Sequence, residues 1–201
     1  MHLAFSVALS ALLCIEYVRF FRLWPFGPAI ERFTSQFLDS KDTGPFLTSH
    51  LYLLVGCALP VWLESVANGA VMPTLAGCAG MLCLGVSDTL ASVVGFLVGR
   101  HRWPASSKTI EGSLAFWLSG WAAALLLQRL VADYVPDAAG LAHVNLAPGG
   151  LDGLPTMPAS APWLGVVFAA AALLEACCDQ NDNLVLPLYV YTILTRPLIS
   201  Q

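Results

Sequence analysis

Between Ser65 and Gly99 the chain carries a single charged residue, Asp88. A run of that length with one charge cannot cover a water-facing surface, where about a quarter of residues are charged. It needs an apolar solvent, and the rest of the chain agrees. Of 201 residues, 57% are hydrophobic and only 11% charged. That balance excludes an ordinary soluble domain, a disordered tail and a nucleic-acid binder, which is polar and usually basic. It leaves a polytopic membrane protein. Its runs are rich in Leu and Ala and must satisfy their backbone groups internally, so the predicted class is an all-α transmembrane helical bundle, not a barrel. The length accommodates one membrane-embedded domain over residues 1–201, with no separate soluble module.

Charge-free runs locate the spans. They cover Thr43–Leu63, Ser65–Ser87, Ser113–Gln128, Gly153–Leu174 and Asn183–Thr195, each supplying most of the ~20 residues that cross a bilayer. The N-terminal run Met1–Phe21 is read as another span. Its positive charges, Arg19 and Arg22, follow the apolar stretch, the reverse of a signal peptide. About six spans are therefore expected, near Met1–Phe21, Phe46–Leu63, Ala70–Val86, Ser113–Leu130, Pro162–Cys178 and Leu184–Leu198. Asp88–Gly99 is too short to cross alone and is expected as a short interfacial helix. Alternating these spans collects Arg19, Arg22, Arg32, Lys41, Arg100, Arg102 and Lys108 on one face and leaves Arg129 and Arg196 on the other. The positive-inside rule makes the first face cytosolic. The opposite loop, Val131–Ala161, holds no Lys or Arg and carries no recognisable chemistry. The six cysteines read as buried free thiols. Glu16 and Glu64, near span ends, are expected to reach the interface.

The unusual residues gather on the basic face. Asp88 is either a functional carboxylate, since a charge near hydrocarbon is costly without a partner, or the N-cap of the interfacial helix. Ser92, Gly95 and Gly99 recur at helical spacing and suit either close helix packing or backbone approach to a ligand. Arg100, Arg102 and Lys108 place three positive charges within nine residues, among the hydroxyls of Ser106, Ser107 and Thr109 and before Gly112. Such a loop suits a polyphosphate or simply anchors the topology. It is not a P-loop, which needs GxxxxGK before Ser or Thr. Trp103 suits either base stacking or the interfacial aromatic belt. Glu175, Asp179 and Asp182 form a second acidic cluster that serves as Mg²⁺ ligands or as a polar turn between spans. The pattern points to an anionic-ligand and metal site at the bilayer surface, as in an enzyme joining a water-soluble phosphate donor to a lipid acceptor.

The runs GVSDTLASVVG, RWPASSKTIEGS and EACCDQNDNLVLPL resemble the C-terminal half of the dolichol kinase family, and EYVRFFRLWPFG, FLDSKDTGP and HLYLLVGCALPVWL extend the likeness over nearly the whole chain. The first two runs are shared more loosely with CTP-dependent kinases of diacylglycerol, phytol and farnesol. The resemblance implies transfer of the γ-phosphate of CTP to dolichol at the cytosolic face of the endoplasmic reticulum membrane, in support of protein glycosylation. It implies a CTP-binding stretch holding Gly99, Arg100, Arg102, Trp103, Ser107, Lys108, Thr109 and Gly112. Asp88, Lys108 and Glu111 are the implied catalytic residues, and Asp88, Asp179 and Asp182 the ligands of Mg²⁺ or another divalent cation. The implied partners are CTP, the polyisoprenoid alcohol and membrane lipids, with no nucleic acid. Relatives with further N-terminal spans imply that this chain corresponds to part of the family's length.

Overall fold

The computed structural model describes residues 1–37, 48–68, 74–104, 106, 108–134, 160–178 and 182–195. The first apolar run forms helix α1 (His2–Phe20) and the next segment a short helix α2 (Gly27–Thr34), opened by Pro28. Helix α3 spans Thr48–Asn68 with Pro60 inside it. A π-helix over Met81–Asp88 leads without interruption into α4 (Thr89–Leu97). Helix α5 covers Ile110–Tyr134, α6 Ala161–Cys177 and α7 Asp182–Thr195. Among the described residues, regular structure is otherwise helical, apart from an isolated antiparallel bridge between Arg102 and Thr109.

The all-helical, membrane-compatible class therefore holds. Three helices, over His2–Phe20, Thr48–Val66 and Ile110–Val131, are long and apolar enough to cross a membrane. Met81–Leu97, Ala161–Cys177 and Asn183–Thr195 are apolar but shorter. At 14 residues, α7 reaches only about 21 Å, against a hydrocarbon core of about 30 Å.

One boundary differs from expectation. The predicted third span and the separate interfacial helix over Asp88–Gly99 are one continuous element. Asp88 has helical dihedrals (φ −66°, ψ −40°) and makes no side-chain cap bond, so it is not an N-cap. The hydroxyls beside it do not break the helix. Ser87 Oγ donates to the Leu82 carbonyl at 2.9 Å and Thr89 Oγ1 to the Leu84 carbonyl at 3.3 Å, both five residues back and in step with the π register. Ser87 packs where a Cβ on Gly120 would stand, 2.4 Å from its hydroxyl, and Gly120 is midway along the crossing segment of α5. Asp88 follows Ser87 in the same continuous helix and is half-buried.

The core forms where the π-helix, α5, α6 and α7 meet, around Cys83, Phe116, Leu164, Phe168, Leu186 and Val190. Helix α7 packs on α3, and α3 on the peripheral α1, where Trp62 Nε1 donates to the His2 carbonyl at 3.2 Å. Helices α5 and α6 run antiparallel. Trp117 Nε1 donates to the Gly165 carbonyl and Trp121 Nε1 to that of Ala161, each at 2.8 Å. This pairing brings the start of α5 to the end of α6. The carboxylates of Glu16 and Glu64, expected to reach the interface, each have a partner. Both are buried: Glu16 is paired with Arg19, and Glu64 accepts from Thr74 through its backbone N–H at 3.1 Å and its hydroxyl. Of the thiols, Cys78 and Cys83 are buried, whereas Cys14 and Cys177 are exposed.

Candidate functional site

The basic loop between α4 and α5 is stitched into a clasp. Ile110 N–H donates to the His101 carbonyl at 2.8 Å, and Trp103 N–H to the Lys108 carbonyl at 3.1 Å. Ser106 N–H reaches the Trp103 carbonyl at 3.3 Å, and Ser106 Oγ accepts from Lys108 N–H at 3.2 Å. Pro104 sits at the turn, where its fixed φ favours reversal and its missing N–H costs nothing. Outside these bonds, the Glu111 carboxylate accepts from His101 N–H at 3.2 and 3.3 Å and pairs with His101 Nδ1 at 2.7 Å. Trp103 Nε1 donates to Ser113 Oγ at 3.1 Å, which fixes the indole against α5.

Thr109 packs on the small-residue face. As the N-cap of α5, its Oγ1 accepts from Gly112 N–H at 3.2 Å. A Cβ on Gly99 would lie 2.7 Å from its methyl, and one on Gly112 would lie 2.9 Å from its hydroxyl. Gly95, Gly99 and Gly112 thus form the notch into which Thr109 packs.

Lys108, the residue before that cap, reaches across to α6. Its Nζ stands 2.7 Å from Glu175 Oε1 and donates to the Glu175 backbone carbonyl, also at 2.7 Å. The carbonyl belongs to the last turn of α6, where backbone acceptors have no partner within the helix and carry the negative end of the helix dipole. The carboxylate is nearly enclosed, its side chain 6% exposed against 22% for Lys108. A carboxylate at that burial costs several kcal/mol without a partner. The ammonium meets both demands at once and binds the RWPASSKTIEGS run to the EACCDQNDNLVLPL run.

The remaining site residues are placed as follows. Asp88 is half-buried at the end of the π-helix, and Arg100 and Arg102 are exposed on the clasp. Ser107 and Asp179 lie outside the described residues, and of Asp182 only its backbone position at the start of α7 is described. Among the described residues no three His, Cys, Asp or Glu side chains are grouped as a metal cluster. Of the expected ligand set, that description covers Asp88 alone. Next to Asp182, Asn183 is set deep in the bundle. A Cβ on Gly56, midway along the crossing segment of α3, would stand 1.9 Å from its carbonyl oxygen. The start of α7 therefore packs against the middle of α3.

Sequence reasoning placed Glu175 in the acidic cluster without a partner, and missed His101, Ser113 and Gly56. For Glu175 the signal was present, as a charge at the end of an apolar run on the same predicted face as Lys108. For Gly56 no local pattern carried one.

Fold and site together define an all-helical chain, with three helices long and apolar enough to cross a membrane, whose basic clasp is joined to the end of α6. No family model matches the chain, and no solved structure matches it. Its similarity is to curated proteins. It is 34% identical over 195 residues to dolichol kinase sec59 of Schizosaccharomyces pombe, 34% over 201 residues to dolichol kinase of Homo sapiens, and 34% over 195 residues to dolichol kinase EVAN of Arabidopsis thaliana. Each alignment covers 96% of this chain, and 34%, 33% and 30% of those proteins respectively. The chain is similar to these dolichol kinases along nearly all of its own length and spans about a third of theirs.

Proposed function

We propose that the chain carries the phosphoryl-transfer centre of a CTP-dependent dolichol kinase, acting at the cytosolic face of the endoplasmic reticulum membrane and supplying dolichyl phosphate for protein glycosylation. The observation that carries this reading is the Lys108–Glu175 pair, at 2.7 Å. It joins the two runs with the strongest family resemblance into one centre and holds a cation at the end of the bundle. The reaction makes one bond and breaks one. The dolichol hydroxyl oxygen attacks the γ-phosphorus of CTP, the bond from that phosphorus to the β–γ bridging oxygen breaks, and CDP leaves. The hydroxyl proton passes to a carboxylate, a role assigned to Asp88, since both oxygens of Glu111 already accept from His101 N–H.

Such catalysis is mostly positioning and electrostatics. Lys108 and Arg102 neutralise the triphosphate, and the Trp103, Thr109 and Glu111 contacts keep the loop in shape for it. Mg²⁺ requires only one or two carboxylates beside the substrate phosphates. Asp88, on a continuous helix, with Asp182 at the head of α7 and Asp179 before it, fits that need, and the ion supplies further charge neutralisation when bound. The alcohol's chain stays in the bilayer, and only its hydroxyl has to reach the carboxylate of Asp88.

Membranes containing the chain, given γ-labelled CTP and Mg²⁺ with dolichol, diacylglycerol, phytol or farnesol in parallel, test the assignment. Labelled dolichyl phosphate with release of CDP is expected, and its loss in Lys108→Ala. Label confined to another alcohol, or pyrophosphate released in place of CDP, overturns it.

A further inference from the structure

A cation that steers a phosphoryl group is useful only where it is held, and Lys is a long, flexible side chain with three rotatable N–H donors. In this bundle Glu175 holds it from two directions. Glu175 offers Lys108 a carboxylate oxygen and its own backbone carbonyl, each 2.7 Å from Nζ. The two acceptors differ in what a substitution removes. Replacing the carboxylate leaves the carbonyl in place, because the carbonyl belongs to the end of α6. The side chain of Glu175 is therefore the adjustable half of the holder. Its near-complete burial strengthens its field at Lys108, since little water screens it.

We propose that Glu175 is the positioning residue for Lys108, fixing the ammonium against the end of α6 at the place where an anionic triphosphate meets the basic clasp. The inference rests on the functional reading above and deepens it. Glu175 does not touch the reacting atoms. It sets where the cation stands and keeps the Lys108 loop against the end of α6.

A rival role is a plain strut, in which the pair only ties a loop to a helix. The two roles separate in a charge exchange. In Lys108→Glu combined with Glu175→Lys, the attraction is restored while the cation moves onto α6 and a carboxylate occupies the clasp. Positioning predicts that the exchanged chain regains abundance and thermal stability in membranes but not CTP-dependent transfer. A strut in which neither side chain serves the substrate predicts that both return. Glu175→Gln, which keeps the shape and the backbone acceptor, is expected to lower kcat by roughly 10²-fold, the scale of a misplaced catalytic group, with KM for dolichol unchanged. Glu175→Asp keeps the charge one methylene shorter. It serves where Glu175→Gln does not accumulate, and is expected to give folded, slowed protein. Wild-type kcat in whichever of these two variants accumulates, or activity restored by the exchange, overturns the positioning role. A wild-type chain that transfers nothing from CTP overturns the functional reading, and this inference with it.

Discussion

Glu64 and Glu175 are both almost fully buried carboxylates on apolar helices, 3% and 5% exposed, yet they are neutralised in different ways. Glu64, near the end of α3, accepts from the backbone N–H and hydroxyl of Thr74, ten residues along the chain. Its partners are neutral and local, and the pair fixes the chain where it turns back toward the π-helix. Glu175 takes an ammonium from a loop 67 residues away. Its partner is charged and distant, and the pair joins two segments that carry the family resemblance. Apolar surroundings demand that each carboxylate be satisfied. They do not dictate how, and the choice separates an anchor of the fold from part of a working centre.

This contrast predicts a graded series of effects. The largest is expected for Lys108→Ala. It removes the cation and leaves Glu175 buried without its partner, so transfer from CTP falls by roughly 10³-fold, measured as initial rate per unit of membrane-inserted protein. Glu175→Gln follows at roughly 10²-fold. Glu64→Gln is expected to invert the pattern, with turnover within about threefold of wild type and stability lower by about 1–2 kcal/mol, measured by thermal denaturation in detergent. A Glu64→Gln variant with intact stability and lost transfer breaks the comparison. Gly56→Ala is expected to cost about 1–3 kcal/mol in the same assay, because the new methyl meets the Asn183 carbonyl. The smallest effect belongs to His101→Ala. It loosens a largely exposed pair at the outer edge of the clasp and is expected to raise KM for CTP about two- to fivefold.

The helical class and three helices of crossing length were legible because charge-free runs are a direct consequence of an apolar solvent. Helix α5 extends only slightly beyond the predicted Ser113–Leu130, and α6 matches Pro162–Cys178 within a residue at each end. The join at Asp88 was not legible. Ser87 and Asp88 are good capping residues in water, but here Ser87 bonds back to its own helix and packs on Gly120, a contact that only tertiary structure supplies. In the site, the basic cluster and its hydroxyls were readable from composition. Their division of labour was not. Trp103 is bound to Ser113, Glu111 to His101 and Thr109 to the glycine notch, each through a partner on the following helix or across a helix contact. Lys108 and Glu175 stood out separately as charges on one predicted face. Their meeting depends on the antiparallel register of α5 and α6, set by Trp117 and Trp121, and a register between helices leaves no mark in either run alone.

The claim that the clasp and the end of α6 act as one centre is tested most directly by a double-mutant cycle in kcat/KM for CTP, over wild type, Lys108→Met, Glu175→Gln and the double variant. Residues that act as a unit are strongly non-additive. The double variant is expected to be no slower than Lys108→Met, because without the ammonium the carboxylate has nothing to position. Losses that multiply across the two sites would show that the residues act independently and contradict the account.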